Sequence, residues 1–121
     1  MLKLAIPLIH VSNAATAEAF YSGGLGFRRE FAHRADEKLP DPCYMGFSRE
    51  GIWVHVSSFS GDGVAGGVVN FLVEDVDALR TELVTKGVKI SVEPVDQTWG
   101  TREMYVRDPD NNSIRFIQEK P

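Results

Sequence analysis

The sequence predicts an α+β fold in which one motif, a strand followed by a helix and three more strands (βαβββ), is used twice. Two observations carry this expectation. The chain resembles itself: "VSNAATAEAFYSGGLGF" (11–27) and "VEDVDALRTELVTKGVKI" (73–90) each run from a strand end through an Asn- or Asp-headed amphipathic helix to a glycine turn. Behind each of these segments stand three short runs rich in β-branched and aromatic residues, separated by turn residues, as three strands require.

Taken in order, "KLAIPLIHV" (3–11) is the first strand. Asn13 is placed to cap a helix through Tyr21 or Ser22. The strands "FRREFAHRA" (27–35), "CYMGFSR" (43–49) and "IWVHVSSF" (52–59) follow, the last two joined at Gly51. Between the first pair lies the charged, proline-containing loop "RADEKLPDPC" (34–43), and the glycine-rich "SGDGVAGG" (60–67) joins the halves. The second half opens with "GVVNFLVE" (67–74). Asp75 then heads a helix with Val76, Leu79 and Leu83 on one side and Gly87 at its end. "VKISVEP" (88–94), "REMYVRD" (102–108) and "SIRFIQE" (113–119) complete the plan, with "DPDNN" (108–112) as a tight turn. The expectation is a single domain, residues 1–121, built of two repeats at about 1–60 and 66–121.

A chain of 121 residues buries about two-thirds of the surface it exposes when unfolded, so it needs no staples. Its one cysteine, Cys43, cannot pair within the chain and suits a reducing compartment, which makes the cytoplasm the expected location. The apolar start is broken by Pro7 and His10 and serves better as a strand than as a leader. No run approaches the ~20 apolar residues of a membrane span, and no membrane partner is expected. A net charge of −4 argues against nucleic acid, whose binding needs an excess of lysine and arginine.

Two curved mixed sheets with the helices outside leave a second face on each sheet, and strand alternation says which residues line it. In strand 52–59 the set is Trp53, His55 and Ser57; in strand 113–119 it is Ser113, Arg115, Ile117 and Glu119. Aromatic and polar together, these describe a binding surface better than a solvated one. His10 falls in phase with His55, but two imidazoles without a carboxylate make a poor metal site, and a polar wall or satisfied core histidine is the plainer reading. His33 lies beside the charged loop, where solvation is expected. Cys43 has no activating partner in sequence and fits a packing role. "DPDNN" lacks the spaced ligands of a calcium loop. "SGGLG" and "AGG" do not follow the strand-then-helix order of a phosphate cradle. Phe27, Phe71 and Phe116 are expected in the core, whereas for Tyr44 and Trp99 packing and ligand stacking stay open.

Four segments, "AFYSGGLGF" (19–27), "VEDVDAL" (73–79), "WGTRE" (99–103) and "VRDPDNNSIRF" (106–116), occur in the order found in the vicinal-oxygen-chelate superfamily of glyoxalases, bleomycin resistance proteins and extradiol dioxygenases. Nearly the whole chain resembles it. "QTWGTRE" followed by "RDPD" is most similar to the bleomycin resistance branch. The resemblance implies the glyoxalase/bleomycin resistance fold paired in a homodimer. It also sets Ile6, Trp53, Val68 and Arg115 on the four positions where the metalloenzymes of the superfamily carry their ligands. Two aliphatic chains, an indole and a guanidinium offer no suitable lone pair, so neither metal nor other cofactor is expected, and no catalytic residue is assigned.

What the resemblance then implies is an antibiotic-resistance protein, not an enzyme, that sequesters a planar, cationic natural product of the bleomycin type in a groove at the dimer interface. Phe31, Tyr44, Trp53, His55, Trp99 and Arg115 are its expected ligand-binding residues, with Tyr44 and Trp99 where stacking rings would stand. Glu30, Asp36, Glu37 and Asp96 are near enough in sequence to attract a cationic tail. The competing expectations are a metal-dependent glyoxalase- or dioxygenase-like enzyme, and a binder of a different toxin or metabolite.

Overall fold

Every second residue of the central strands packs under a helix, and this alternation organises both halves of the chain. The computed structural model describes residues 1–121, which fall into two compact units, Met1–Ala65 and Gly66–Pro121.

In the first unit, β1 (Leu8–His10), β2 (Arg28–Arg34), β3 (Cys43–Arg49) and β4 (Ile52–Ser57) form one sheet in the order β1-β4-β3-β2. β1 runs parallel to β4, and the other pairs are antiparallel. Met45, Phe47, Val54 and Val56 point to the helix side and are wholly buried. Against them lies α1 (Ala14–Glu18), followed by a π-helical turn over Ala19–Gly24. This segment differs from the simple helix expected to Tyr21 or Ser22. The Leu25 N–H reaches back to the Phe20 carbonyl, five residues earlier, and the wider turn sets Tyr21 inside against Phe47, ring centroids 5.9 Å apart. β1 is also shorter than the expected 3–11.

The second unit repeats the plan. β5 (Val68–Leu72), β6 (Ile90–Asp96), β7 (Thr101–Arg107) and β8 (Ser113–Glu119) stand in the order β5-β8-β7-β6, with β5 parallel to β8. Met104, Val106, Ile114 and Phe116 pack on the side of α2 (Val76–Thr85), which buries Val76 and Leu83.

Each helix has its first amide groups satisfied twice. Asn13 Oδ1 accepts from Thr16 N, and Asp41 Oδ1 accepts from Ala14 N at 3.0 Å. Likewise Asp75 Oδ1 accepts from Ala78 N, and Gln118 Oε1 accepts from Val76 N at 2.9 Å. One partner in each case is the expected cap; the other comes from far along the chain, Asp41 from the loop before β3 and Gln118 from β8, and holds the helix start in place.

The "DPDNN" segment is a turn, with Asn111 in the left-handed region at φ 68°. Its buried Asn112 does more than close it. Oδ1 accepts from Gly66 N and Gly67 N at 2.8 and 2.9 Å, and Nδ2 donates to Asp108 Oδ2. The turn before β8 thereby fixes the chain entering β5. Asn112→Ala strands these groups in a buried place, and we expect a loss of about 2–3 kcal/mol in urea unfolding. A loss under about 0.5 kcal/mol, the range of ordinary surface changes, would show the clamp to be dispensable.

Candidate functional site

On the uncovered face of the first sheet, strand register brings three positions into one row: Phe31 on β2 stands opposite Gly46 on β3, which stands opposite His55 on β4. A glycine inside a strand signals a close approach. Here the Phe31 ring lies across it, and a Cβ at Gly46 would sit 2.2 Å from Phe31 Cε2. Crossing that gap, the ring meets His55 edge-on, centroids 5.5 Å apart, and runs nearly parallel to Tyr44 at 6.2 Å. Trp53 closes the cluster against His55 at 6.1 Å.

The polar atoms of the cluster satisfy one another. Tyr44 Oη and His55 Nδ1 are 2.6 Å apart. Burial pushes the imidazole below its ordinary value, and burial followed by the charge of Asp62 pushes the phenol above its own. Both are therefore neutral at pH 7, and the contact is a hydrogen bond between uncharged groups whose direction follows the imidazole tautomer. The result is an aromatic wall with a single polar handle, and Phe31 remains 41% exposed at its rim.

The second sheet carries a different cluster on its uncovered face. Glu103 on β7 is only 5% exposed, and its Oε2 accepts from Thr101 Oγ1 at 2.6 Å and Trp99 Nε1 at 3.1 Å. Oε1 accepts from Tyr105 Oη at 2.7 Å. The Thr101 hydroxyl first, then the Tyr105 and Trp99 donors and the charge of Arg115, hold the carboxyl below its ordinary range against the opposing effect of burial. The Arg115 guanidinium lies over the Tyr105 ring, 4.6 Å from its centroid. Trp99 itself is 67% exposed in the turn before β7.

Of the six expected binding residues, Phe31, Tyr44, Trp53 and His55 thus share one face of the first unit, while Trp99 and Arg115 are joined through Glu103 and Tyr105 in the second. Three positions of these two clusters escaped sequence reasoning. Gly46 carried a signal, as a glycine amid strand residues. Glu103 and Tyr105 share the phase of Thr101, opposite to buried Met104 and Val106, and alternation within "TREMY" was enough to place them.

Two expected anions are already engaged. Glu30 pairs with Arg28 and accepts from Ser48, and Asp96 pairs with Arg102 and Lys120. Asp36 and Glu37 lie exposed in the loop. His33 is exposed and Cys43 is buried as a packing residue, while Phe27 and Phe116 are core and Phe71 stacks on Phe116 at 6.0 Å.

A divalent metal of the kind held by related enzymes does not fit the residues present. Ile6 and Val68 are exposed aliphatic chains, Trp53 packs on His55, and Arg115 brings a positive charge. Neither unit gathers three His, Cys, Asp or Glu side chains into a group able to hold a metal ion.

Two mixed four-stranded sheets, each from a βαβββ half, define the glyoxalase/bleomycin resistance fold. The family described as "Glyoxalase superfamily protein" matches residues 1–121, and the chain belongs to the glyoxalase superfamily. The protein YraH of Bacillus subtilis is 40% identical over 62 residues, 50% of this chain and 48% of YraH, so the match spans about half of that relative. Among solved structures, a member of the glyoxalase/bleomycin resistance protein/dioxygenase superfamily from Sphaerobacter thermophilus is 25% identical, with 98% of both chains covered and a TM-score of 0.78. TnmS3, an antibiotic binding protein from Streptomyces sp. CB03234, shares the fold at 20% identity, covering 99% of this chain and 98% of its own, TM-score 0.78. So does the lactoylglutathione lyase of Agrobacterium tumefaciens, at 18% identity over 96% and 92% of the two chains, TM-score 0.74. The superfamily holds enzymes and binding proteins alike.

Two measurements test this geometry. Gly46→Ala is expected to expel the Phe31 ring and cost about 1–3 kcal/mol of stability; an unchanged unfolding midpoint would mean that the ring does not rest on this glycine. His55 is depressed in the folded state, so the stability it contributes is complete above its unfolded value near 6.5 and is lost as pH falls through the lower folded value. The stability of wild type should therefore fall between pH 7.5 and pH 5 by more than that of His55→Gln; equal losses would place His55 in water.

Proposed function

We propose that the protein binds and sequesters a planar, aromatic natural product of the antibiotic kind, without a metal. The observation that carries this is the wall of Phe31, Tyr44, Trp53 and His55 on a sheet face that no helix covers. Rings held edge-on around a neutral histidine offer a flat ligand both stacking area and one hydrogen bond, each ring pair contributing about 0.5–1.5 kcal/mol beyond burial. Four superfamily ligand positions filled by poor donors favour binding over metal-assisted turnover. The whole-chain likeness to the antibiotic binding protein TnmS3 supports the same reading.

Within this class, the segments "QTWGTRE" and "RDPD" favour the bleomycin resistance branch, so bleomycin is the first compound to try. A homodimer belongs to the proposal: Phe31 and Trp99 are large apolar side chains left exposed in the single chain, and a two-fold pair would cover such surface. Sedimentation should give a dimer at micromolar concentration, and a monomer with and without ligand would remove the shared groove.

The binding test is quenching of tryptophan fluorescence by metal-free and copper-loaded bleomycin. Submicromolar affinity is expected, with a loss of at least tenfold, about 1.4 kcal/mol, in Phe31→Ala and in Trp99→Ala. Binding indifferent to both substitutions, or absent for both forms, would move the reading to another toxin or metabolite.

A further inference from the structure

We propose that Arg115, with Asn70 beside it, forms a carboxylate-recognition site on the uncovered face of the second sheet. The inference concerns a different unit from the aromatic wall of the first sheet and goes beyond the function proposed above.

The chain has eight arginines, and seven of them donate to an oxygen of the protein. Arg28, Arg29, Arg80 and Arg102 meet carboxylates, while Arg34, Arg49 and Arg107 reach backbone carbonyls. Arg115 donates to none. Its Nε is buried without an acceptor, so this part of the guanidinium has been withdrawn from water without receiving the hydrogen bond that normally accompanies burial.

Its surroundings hold it without consuming its donors. The Tyr105 ring lies beneath it, fixed in turn by the hydrogen bond from Tyr105 Oη to Glu103. Glu103 is the carboxylate that would otherwise claim the arginine, but Thr101, Trp99 and Tyr105 already occupy its two oxygens. The Nη end of the fork is left for an acceptor from outside. Directly across the parallel pair, Asn70 on β5 stands opposite Arg115, exposed, and adds an amide donor on that side. Val68 and Leu72, in phase with Asn70, are exposed aliphatic flanks.

A planar fork of N–H groups matches the two oxygens of a carboxylate, whereas a cationic group meets repulsion there. Since Glu103 offsets the charge of Arg115, recognition rests on directed donors more than on positive potential. The ligand class is therefore a small carboxylate carrying an apolar body, the acid reaching Arg115 and the body lying on the aliphatic flanks.

The test compares 1-naphthoate with its neutral counterpart 1-naphthamide by isothermal titration calorimetry on the full chain. Wild type should bind naphthoate about tenfold more tightly, Arg115→Gln should bring the two together, and Arg115→Lys should keep part of the preference because it retains charge without the fork. Asn70→Ala, an exposed change, reads the site without touching the arginine and should weaken naphthoate alone by about threefold. Phe31→Ala should leave the ratio of the two affinities unchanged, which separates this site from the aromatic wall. Equal affinities in wild type, no binding of naphthoate, a preference surviving in Arg115→Gln, or naphthoate binding untouched by Asn70→Ala would each overturn the proposal.

Discussion

A four-stranded sheet with one helix beside it can bury only one of its faces, and each half of this chain lives under that constraint. The side chains of the covered face are ordinary packing residues: methionine, phenylalanine, valine and isoleucine, with the helix start held by Asp41 of the loop before β3 or by Gln118 of β8. The opposite face must present something to its surroundings whatever the chain does. On a face left to water alone, charged and small polar residues cost least. Rings, a neutral imidazole and a partly withdrawn guanidinium stand there instead, and each needs a specific neighbour to be tolerated.

The two faces meet that need in different ways. On the first sheet the groups remain uncharged: burial depresses His55 and raises Tyr44, and one hydrogen bond between them satisfies both. Flatness is achieved by deletion, because Gly46 supplies no side chain and Phe31 fills the space. On the second sheet the charge is kept and divided. Glu103 accepts from three donors, and Arg115 is held by the face of a ring. A neutral wall discriminates by shape and stacking, whereas a directed fork discriminates by the geometry of an acceptor. The repeat has thus conserved a topology while giving its halves unlike chemistry.

How much of this was legible follows from the periodicities involved. The duplicated βαβββ plan, the Asn13 and Asp75 caps and the grouping of Trp53 with His55 are local or period-2 properties, and the sequence displays them directly. The π-helical turn at Ala19–Gly24 was not legible; it accompanies the contact of Tyr21 with Phe47, residues far apart in the chain. Glu30 and Asp96 looked like free anions because sequence gives no view of partners across strands; Ser48 and Lys120 take them. The Glu103 network lies between these cases. Its phase was readable, but its burial and its three donors depend on how the turn bearing Trp99 comes back over β7.

Arg115 shows why a missing ligand set is informative only together with what replaces it. At a position where the resemblance sets a metal ligand of the superfamily's enzymes, an alanine would leave only a gap. A guanidinium places N–H donors there instead, and these are what the proposed carboxylate site uses. Such a group is stable in the folded protein only if a counter-charge is close, yet it is useful only if that counter-charge does not close a salt bridge. Glu103 meets both conditions, because its oxygens are turned to Thr101, Trp99 and Tyr105 and its field still reaches Arg115. Tyr105 is the part that makes this possible, since one side chain gives its hydroxyl to the carboxylate and its ring face to the arginine, keeping the two charges near each other and apart.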